Sequence, residues 1–380
     1  MPNALAAEYL RALLKQREAR ERPEPLAELQ RLFKRRDRRP PEPFHDSSFL
    51  YMRSYDADLG VRPFSGIVHW HSPDVTLSPI TGVGAYTTSL NAGETYVIRC
   101  ALRNRGDIGV PSAKVELFLT DPTLGFDTRF ATNLTLGQVP STWVAANTNA
   151  AVEFAYTVPP TESGHKCLFA RAFSFSPLDL PIDDFGLDPR LDRHVAQQNL
   201  NIVGSSQAYS FGMVHLPNAR LRIHLRALER EELLMLRHPV LADVEIAREF
   251  PRQGWGRLSR LELREPGGGD LSVREAPEGL VIDARDPDGV RPDVQREVRT
   301  AVRDVLRAVD AGETRLANHR DLLARFRRMN AEARRSTFAM TVPDIGLQPR
   351  QAVGLEITGI DDTLGEADVF GGITLVIVGA

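Results

Sequence analysis

The chain has 380 residues, is 42% hydrophobic and 26% charged, and carries a formal net charge of −3. That composition excludes a disordered or fibrous chain, leaves room for two domains of ordinary size, and offers no global charge for gripping nucleic acid. No run of about 18 apolar residues occurs, so no helical membrane span is expected.

Charge is unevenly placed. Residues 1–39 carry 11 Lys+Arg against 6 Asp+Glu, whereas residues 40–205 carry 11 against 17. The basic segment 1–43 is expected to be an amphipathic helical arm and linker. Asn3 serves as N-cap, and Leu5, Tyr9, Leu10, Leu13 and Leu14 recur at helical spacing. Pro23 and Pro25 interrupt it. A second stripe of Leu26, Leu29, Leu32 and Phe33 follows, with Lys34, Arg35 and Arg36 suiting a helix C-terminus. An isolated amphipathic segment of this size cannot bury its stripe alone. Leu10, Leu13, Leu14, Leu29 and Phe33 are therefore candidate contacts for a protein partner or a second copy, with packing on the chain's own body as the alternative. The start of the chain has no secretory signal pattern, so the expectation is a cytoplasmic protein, or one released by a non-standard route.

Residues 44–66 are aromatic-rich and irregular. From about residue 67 the period changes to two. Tyr96, Ile98, Cys100 and Leu102 share one face of a strand; Val115, Leu117 and Leu119 share another; Val152, Phe154, Tyr156 and Val158 alternate most regularly; Leu200 and Ile202 close the series. Turns fall at Asn91-Ala92-Gly93, Asn104-Arg105-Gly106-Asp107, Asp121-Pro122 and Pro159-Pro160. The glycine of the Asn-Arg-Gly-Asp turn is expected to supply a positive φ. Several strands separated by such turns argue a β-sandwich over residues 44–205.

After Gly204-Ser205-Ser206, residues 206–380 read as a second β-sandwich. Strands are expected at Phe211 to His215, Leu221 to Leu225, Thr337 to Val342, Ala352 to Ile357 and Gly372 to Val378, with a short helix over Glu229 to Arg237. A helical hairpin is inserted at about 288–332, its first helix striped by Val290, Val294, Val298, Val302, Val305 and Val309. The fold class is thus mainly β: two sandwich domains, an N-terminal helical arm, and one helical insertion.

The stretch from Asn91 to Pro122, NAGETYVIRCALRNRGDIGVPSAKVELFLTDP, resembles the cell-adhesion-related domain found in bacteria, CARDB. The matching features are the turn Gly93-Glu94-Thr95, the strand Tyr96 to Arg103, the turn Asn104 to Asp107 and the strand Ala113 to Thr120. The resemblance implies an immunoglobulin-like sandwich, and family members usually act in adhesion or as spacers. Cys100 and Cys167 are spaced as a strand B–strand F pair could be, but Trp143 is too far along for the usual core tryptophan and His165 stands at the tyrosine-corner position. Whether the two cysteines are bonded is left open.

Chemistry-bearing motifs are sparse. His69 and His71 form an H-x-H pair whose side chains would share one face of a strand, a possible metal clamp with His45 nearby. Asp179, Asp183, Asp184, Asp188 and Asp192 form an acidic loop of the oxygen chemistry calcium takes, without EF-hand spacing. No G-x-S-x-G occurs, Cys167 with His165 lacks a third orienting group, and Gly267-Gly268-Gly269 lacks a phosphate-binding lysine. No cofactor is expected, and the metal-site candidates reduce to His69, His71, Asp183, Asp184 and Asp188. The expectation is a non-enzymatic structural or adaptor protein, fitting a multi-subunit bacterial or phage-tail-like assembly. An adhesin-like or carbohydrate-binding module, with Trp143 or Trp255 as platform, is the first alternative. An enzyme using His215, His224, Glu262 or Asp283 is the second.

Overall fold

The computed structural model describes residues 48–62, 64, 67–80, 89–176, 179–181, 183–204, 206–215, 221–236, 241, 243–247, 250, 262–265, 271–276, 279–284, 333–342, 344–361 and 368–379. The arm residues Leu10, Leu13, Leu14, Leu29 and Phe33, together with His45, Trp255, Gly267 to Gly269 and the 288–332 insertion, lie outside them.

The described chain is mainly strand. In order these are β1 Leu50–Tyr51, β2 Val75–Pro79, β3 Ser89–Leu90, β4 Thr95–Asn104, β5 Val110–Thr120, β6 Thr123–Leu124, β7 Thr132–Asn133, β8 Ser141–Val144, β9 Thr148–Thr157, β10 Gly164–His165 and β11 Cys167–Phe173. There follow β12 Val195–Gln198, β13 Leu200–Gly204, β14 Ala208–His215, β15 Leu221–Leu228, the helix α1 Arg230–Met235, β16 Glu245–Ile246, β17 Glu262–Glu265, β18 Leu271–Ala276, β19 Gly279–Ala284, β20 Arg334–Thr341, β21 Gln351–Asp361 and β22 Asp368–Val378.

The first sandwich packs two sheets. In one, β4 pairs with β9 along one edge and with β2 and β1 along the other. In the second, β12, β11 and β5 run side by side, with β7 and β8 on the far edge of β5. The alternation read from the sequence decides what each strand buries. Tyr96, Ile98, Cys100 and Leu102 meet Val115, Leu117, Leu119, Leu168, Ala170 and Ala172 in one core. Burying side chains of this size contributes roughly 1.5–3 kcal/mol each against the cost of ordering the chain.

One expected turn is built differently. Gly93 does take a left-handed φ of 81°, but Gly106 is not among the left-handed residues. Instead the Asn104 side chain accepts the amides of Gly106 and Phe49 (both 2.9 Å), and Asn147 takes the positive φ of the adjoining turn. Asparagine closes that loop through its own carbonyl, so glycine's freedom is not required there.

The second core lies between the six strands β13-β22-β21-β15-β19-β18, with β16 beside β21, and the sheet β17-β20-β14-β6. Leu200 and Ile202 do not close the first strand series. They sit in β13, which runs parallel to β22 of this second assembly. Likewise β6 leaves the first sandwich to pair parallel with β14. The period-two pattern marks a strand but not its neighbour, which is why the sequence misplaced β13. Helix α1 falls where expected, Glu229 and Glu232 forming a reciprocal capping box at its start. Leu233 turns inward with Leu241, Ile246, Ala352 and Val376, covering part of the outer face of the larger sheet.

The strand exchange brings the two assemblies into direct polar contact. Asn199, fully buried, donates to the carbonyls of Thr123 (3.1 Å) and Gly372 (2.9 Å), while its own carbonyl accepts the Thr374 amide (3.2 Å). Trp70 Nε1 donates to Thr374 Oγ1 at 3.2 Å, and Arg190 donates to the Val369 carbonyl at 2.9 Å.

Candidate functional site

The histidine pair does not form a shared clamp. Neither residue belongs to a named strand; His71 makes only an isolated bridge to Gln198. Its Nε2 lies 2.5 Å from Thr374 Oγ1, whereas His69 is buried with its ring 5.1 Å from that of Trp70. His69 Nδ1 faces the Ile67 carbonyl at 3.2 Å, and its Nε2 has no hydrogen-bond partner among the described residues. Burial drives its pKa down to about 4, against the opposing pull of Asp188. The strand geometry that would have aligned the two rings is absent because residues 69–71 lie outside a regular strand, at the seam where Trp70 and His71 meet Thr374 of β22.

The acidic loop is likewise spent on structure. Asp183, Asp188 and Asp192 each turn one oxygen onto the amide two residues ahead: Phe185 (2.8 Å), Arg190 (2.8 Å) and His194 (2.9 Å). Asp188 also takes the Arg190 guanidinium at 2.7 Å. Burial opposes its ionisation, but the charge and hydrogen bond of Arg190 hold its carboxyl below the usual range. Asp184 is exposed and contributes its backbone carbonyl to Arg171 (3.0 Å). Among the described residues no group of three or more His, Cys, Asp or Glu side chains is placed to hold a metal ion. The loop instead roofs a satellite core of Phe118, Phe126, Cys167, Phe169, Leu187 and Val195 on the outer face of β5 and β11.

One cluster escaped sequence reasoning. His194 Nδ1 lies 2.7 Å from Asp192 Oδ1, and its Nε2 lies 3.8 Å from Asp179 Oδ1. Asp179 also accepts the Leu50 amide at 2.8 Å, and Ser48 donates to Ser176 at 3.1 Å. Serine, histidine and carboxylates thus meet, but all five residues are buried. Burial opposes Asp179 ionisation, and the His194 hydrogen bond and the Arg193 charge overcome it. The chemistry available here is anchoring: the cluster pins β1 to the loop before β12. The Asp-x-His spacing at 192–194 was its only local signal.

The cysteines are free and buried, and they lie in different layers. Cys100 faces the shared core, whereas Cys167 faces the satellite core beyond the second sheet. Burial pushes the Cys100 thiol up to about 12 and the Cys167 thiol higher still. His165 sits in β10 and turns to Ser89 (2.9 Å), so it does not serve Cys167.

In the second assembly the suspected catalytic residues are dispersed. His215 is on β14 and meets Ser336 Oγ at 2.9 Å. His224 and Asp283 lie on the larger sheet, on the face turned away from the core, and Asp283 is held by Arg222 at 2.9 Å. The hydrophobic core separates His215 from both. Of Glu262 only the strand backbone is described.

Among the side chains open to solvent are aromatic ones at one end of the first assembly. Trp143 on β8 is 57% exposed and Phe175 is 42% exposed. The Trp143 indole is laid over Gly109, where a Cβ would come within 2.8 Å of ring atom Cζ2. Across the sheet, Lys114 stands opposite Ser141 on β8 and Phe173 on β11, its ammonium 5.3 Å from the Phe175 ring. This end of the outer face therefore presents a supported indole beside a cation–aromatic pair.

No family model and no curated protein matches the chain. Among solved structures, the CARDB domain of a Pyrococcus furiosus protein in complex with di-metal ions is 13% identical, covering 33% of this chain and 86% of that one, with a TM-score of 0.21. The CupB6 tip adhesin from Pseudomonas aeruginosa is 9% identical, covering 80% of this chain and 96% of that one, with a TM-score of 0.16. Likenesses of this extent establish neither fold nor function.

Proposed function

We propose that this chain is a non-enzymatic structural or adaptor protein that binds another protein within a multi-subunit assembly. The observation supporting this most is Trp143: a large side chain, 57% exposed, whose ring is braced by the Gly109 backbone. A braced tryptophan loses little freedom on binding, and buried tryptophans dominate the energetics of protein interfaces. The buried polar contacts of Asn199 and Thr374 add rigidity between the two cores, which suits a scaffold. The basic arm, through Leu10, Leu13, Leu14, Leu29 and Phe33, supplies a second contact in this reading.

The test is native co-purification of the full-length chain from its source, comparing wild type with Trp143→Ala and with Leu13→Asp/Leu14→Asp. Loss of a defined co-purifying protein in Trp143→Ala, with an unchanged unfolding curve, supports the reading. Identical recovery across all three chains sinks it.

A second reading is an adhesin-like or carbohydrate-binding module. The open face of the same indole is suited to stacking on a sugar ring, with Ser141 exposed two residues away. Glycan-array binding that disappears in Trp143→Ala would decide for it over a protein partner.

A further inference from the structure

We propose that β9 is a self-association edge, through which a second copy of this chain extends the first sheet across a two-fold axis. This edge is distinct from the Trp143 face and from the function proposed above.

β9 is ten residues long and pairs with β4 over its whole length without a register shift. Its other edge pairs with no strand among the described residues. The direction of its backbone groups follows from the ends of the ladder. Val158 donates to the Glu94 carbonyl and accepts from Gly93 (both 2.9 Å), so its backbone points toward β4. On the opposite edge of β4, the Thr95 carbonyl accepts from Ile80 (2.9 Å), which gives the same phase. Alternation then turns Tyr156, Phe154, Val152 and Ala150 toward β4, and leaves the N–H and C=O groups of Thr157, Ala155, Glu153 and Ala151 facing outward.

Exposed edges are normally blunted by brevity, proline, charge or a bulge. Several other edges carry such devices: β1 and β7 have two residues each, β2 ends in Pro79, β18 carries Arg274 and Glu275, and the β5–β8 pairing is bulged. β9, reading TNAAVEFAYT, has no proline, no bulge and a single charge, Glu153. Its core-side residues Phe154 and Tyr156 are only half-buried, and the Tyr156 hydroxyl, though buried, has no hydrogen-bond partner among the described residues.

The occupant is argued from the strand's own sequence. Antiparallel pairing about a dyad at Glu153 would set two like charges directly opposite, which is destabilising. A dyad at Ala155 removes that clash. Glu153 then faces the partner's Thr157, Phe154 faces the partner's Tyr156, and Ala155 meets its own copy without crowding. The Glu153–Thr157 and Phe154–Tyr156 relations each occur twice about the single Ala155 pair, so one register satisfies both edges at once, as an isologous two-fold interface requires.

The test is sedimentation equilibrium of the full-length chain over a concentration series. Wild type is expected to show a reversible monomer–dimer equilibrium. Ala155→Pro removes an outward N–H while leaving the ladder to β4, and Ala155→Glu places like charges on the dyad; both are expected to abolish the dimer, and Ala155→Ser to retain it. Circular dichroism and unfolding midpoints establish that each variant folds. If proline disturbs the fold, the glutamate variant decides alone. A wild-type monomer at every concentration overturns the proposal. So does a dimer that survives Ala155→Glu, or an edge filled instead by a strand of a different protein.

Discussion

Gly372 lies flat beneath the Trp70 indole, so close that a Cβ at position 372 would come within 2.3 Å of ring atom Cε2. Trp70 belongs to the segment before β2 of the first assembly, and Gly372 to β22 of the second. Glycine is therefore required here by the neighbouring ring rather than by its own φ. Gly372→Ala should cost about 1–3 kcal/mol through overpacking. Because the ring bears on both assemblies, the loss should appear in the unfolding of both, followed by tryptophan fluorescence and circular dichroism in urea. An unchanged midpoint would show that the seam yields freely.

His69 provides a pH signature. Its pKa in the folded chain is about 4, below the usual 6.5, because burial disfavours the imidazolium. The unfolded chain therefore binds a proton in a range where the folded chain does not. Stability is unaffected above pH 6.5 and falls as pH drops from 6.5 toward 4, by about 3 kcal/mol in total. Measuring unfolding free energy against pH should show a shallower acid limb for His69→Gln than for wild type. Parallel curves would mean that His69 reaches solvent.

Asp74 also loses stabilisation on protonation, at lower pH and for a different reason. Its carboxylate accepts from Arg53 (2.7 Å), from Arg103 (2.9 Å) and from the Arg53 amide (2.9 Å). Burial opposes ionisation, but these hydrogen bonds prevail and hold its pKa below 3.8. Its stabilisation is present above pH 3.8 and is lost as pH falls through the folded value. At neutral pH, Asp74→Asn should cost about 2–3 kcal/mol, read from denaturant midpoints. Equal stability of the two chains at neutral pH would show that the arginines are satisfied by solvent.

The cysteines should be chemically silent while the chain is folded. Both thiols are buried and pushed upward in pKa, so neither supplies thiolate at mild pH. A chromogenic disulfide reagent at pH 8 should find no reactive thiol in the native protein and both after denaturation. A rapid native reaction would contradict the assigned layers.

The amino-acid sequence by itself determined the class and most of the strands. Alternation of Tyr96, Ile98, Cys100 and Leu102, and of Val115, Leu117 and Leu119, is a local signal, since successive side chains of a strand face opposite ways whatever lies beside them. Helix α1 was expected over Glu229 to Arg237 and is found at Arg230–Met235, its start closed by a capping box within four residues. Tertiary structure decided the rest. Pairing partners are chosen by contacts far apart in the chain, so β13 could join β22, and Asn199 could become the tie between two cores, without any nearby pattern announcing it. The H-x-H spacing of His69 and His71 promised a common face only on a regular strand; at the seam between the cores each ring packs edge-on against Trp70 instead. The acidic loop likewise reads as a cation site until the folded backbone shows each carboxylate closing its own turn.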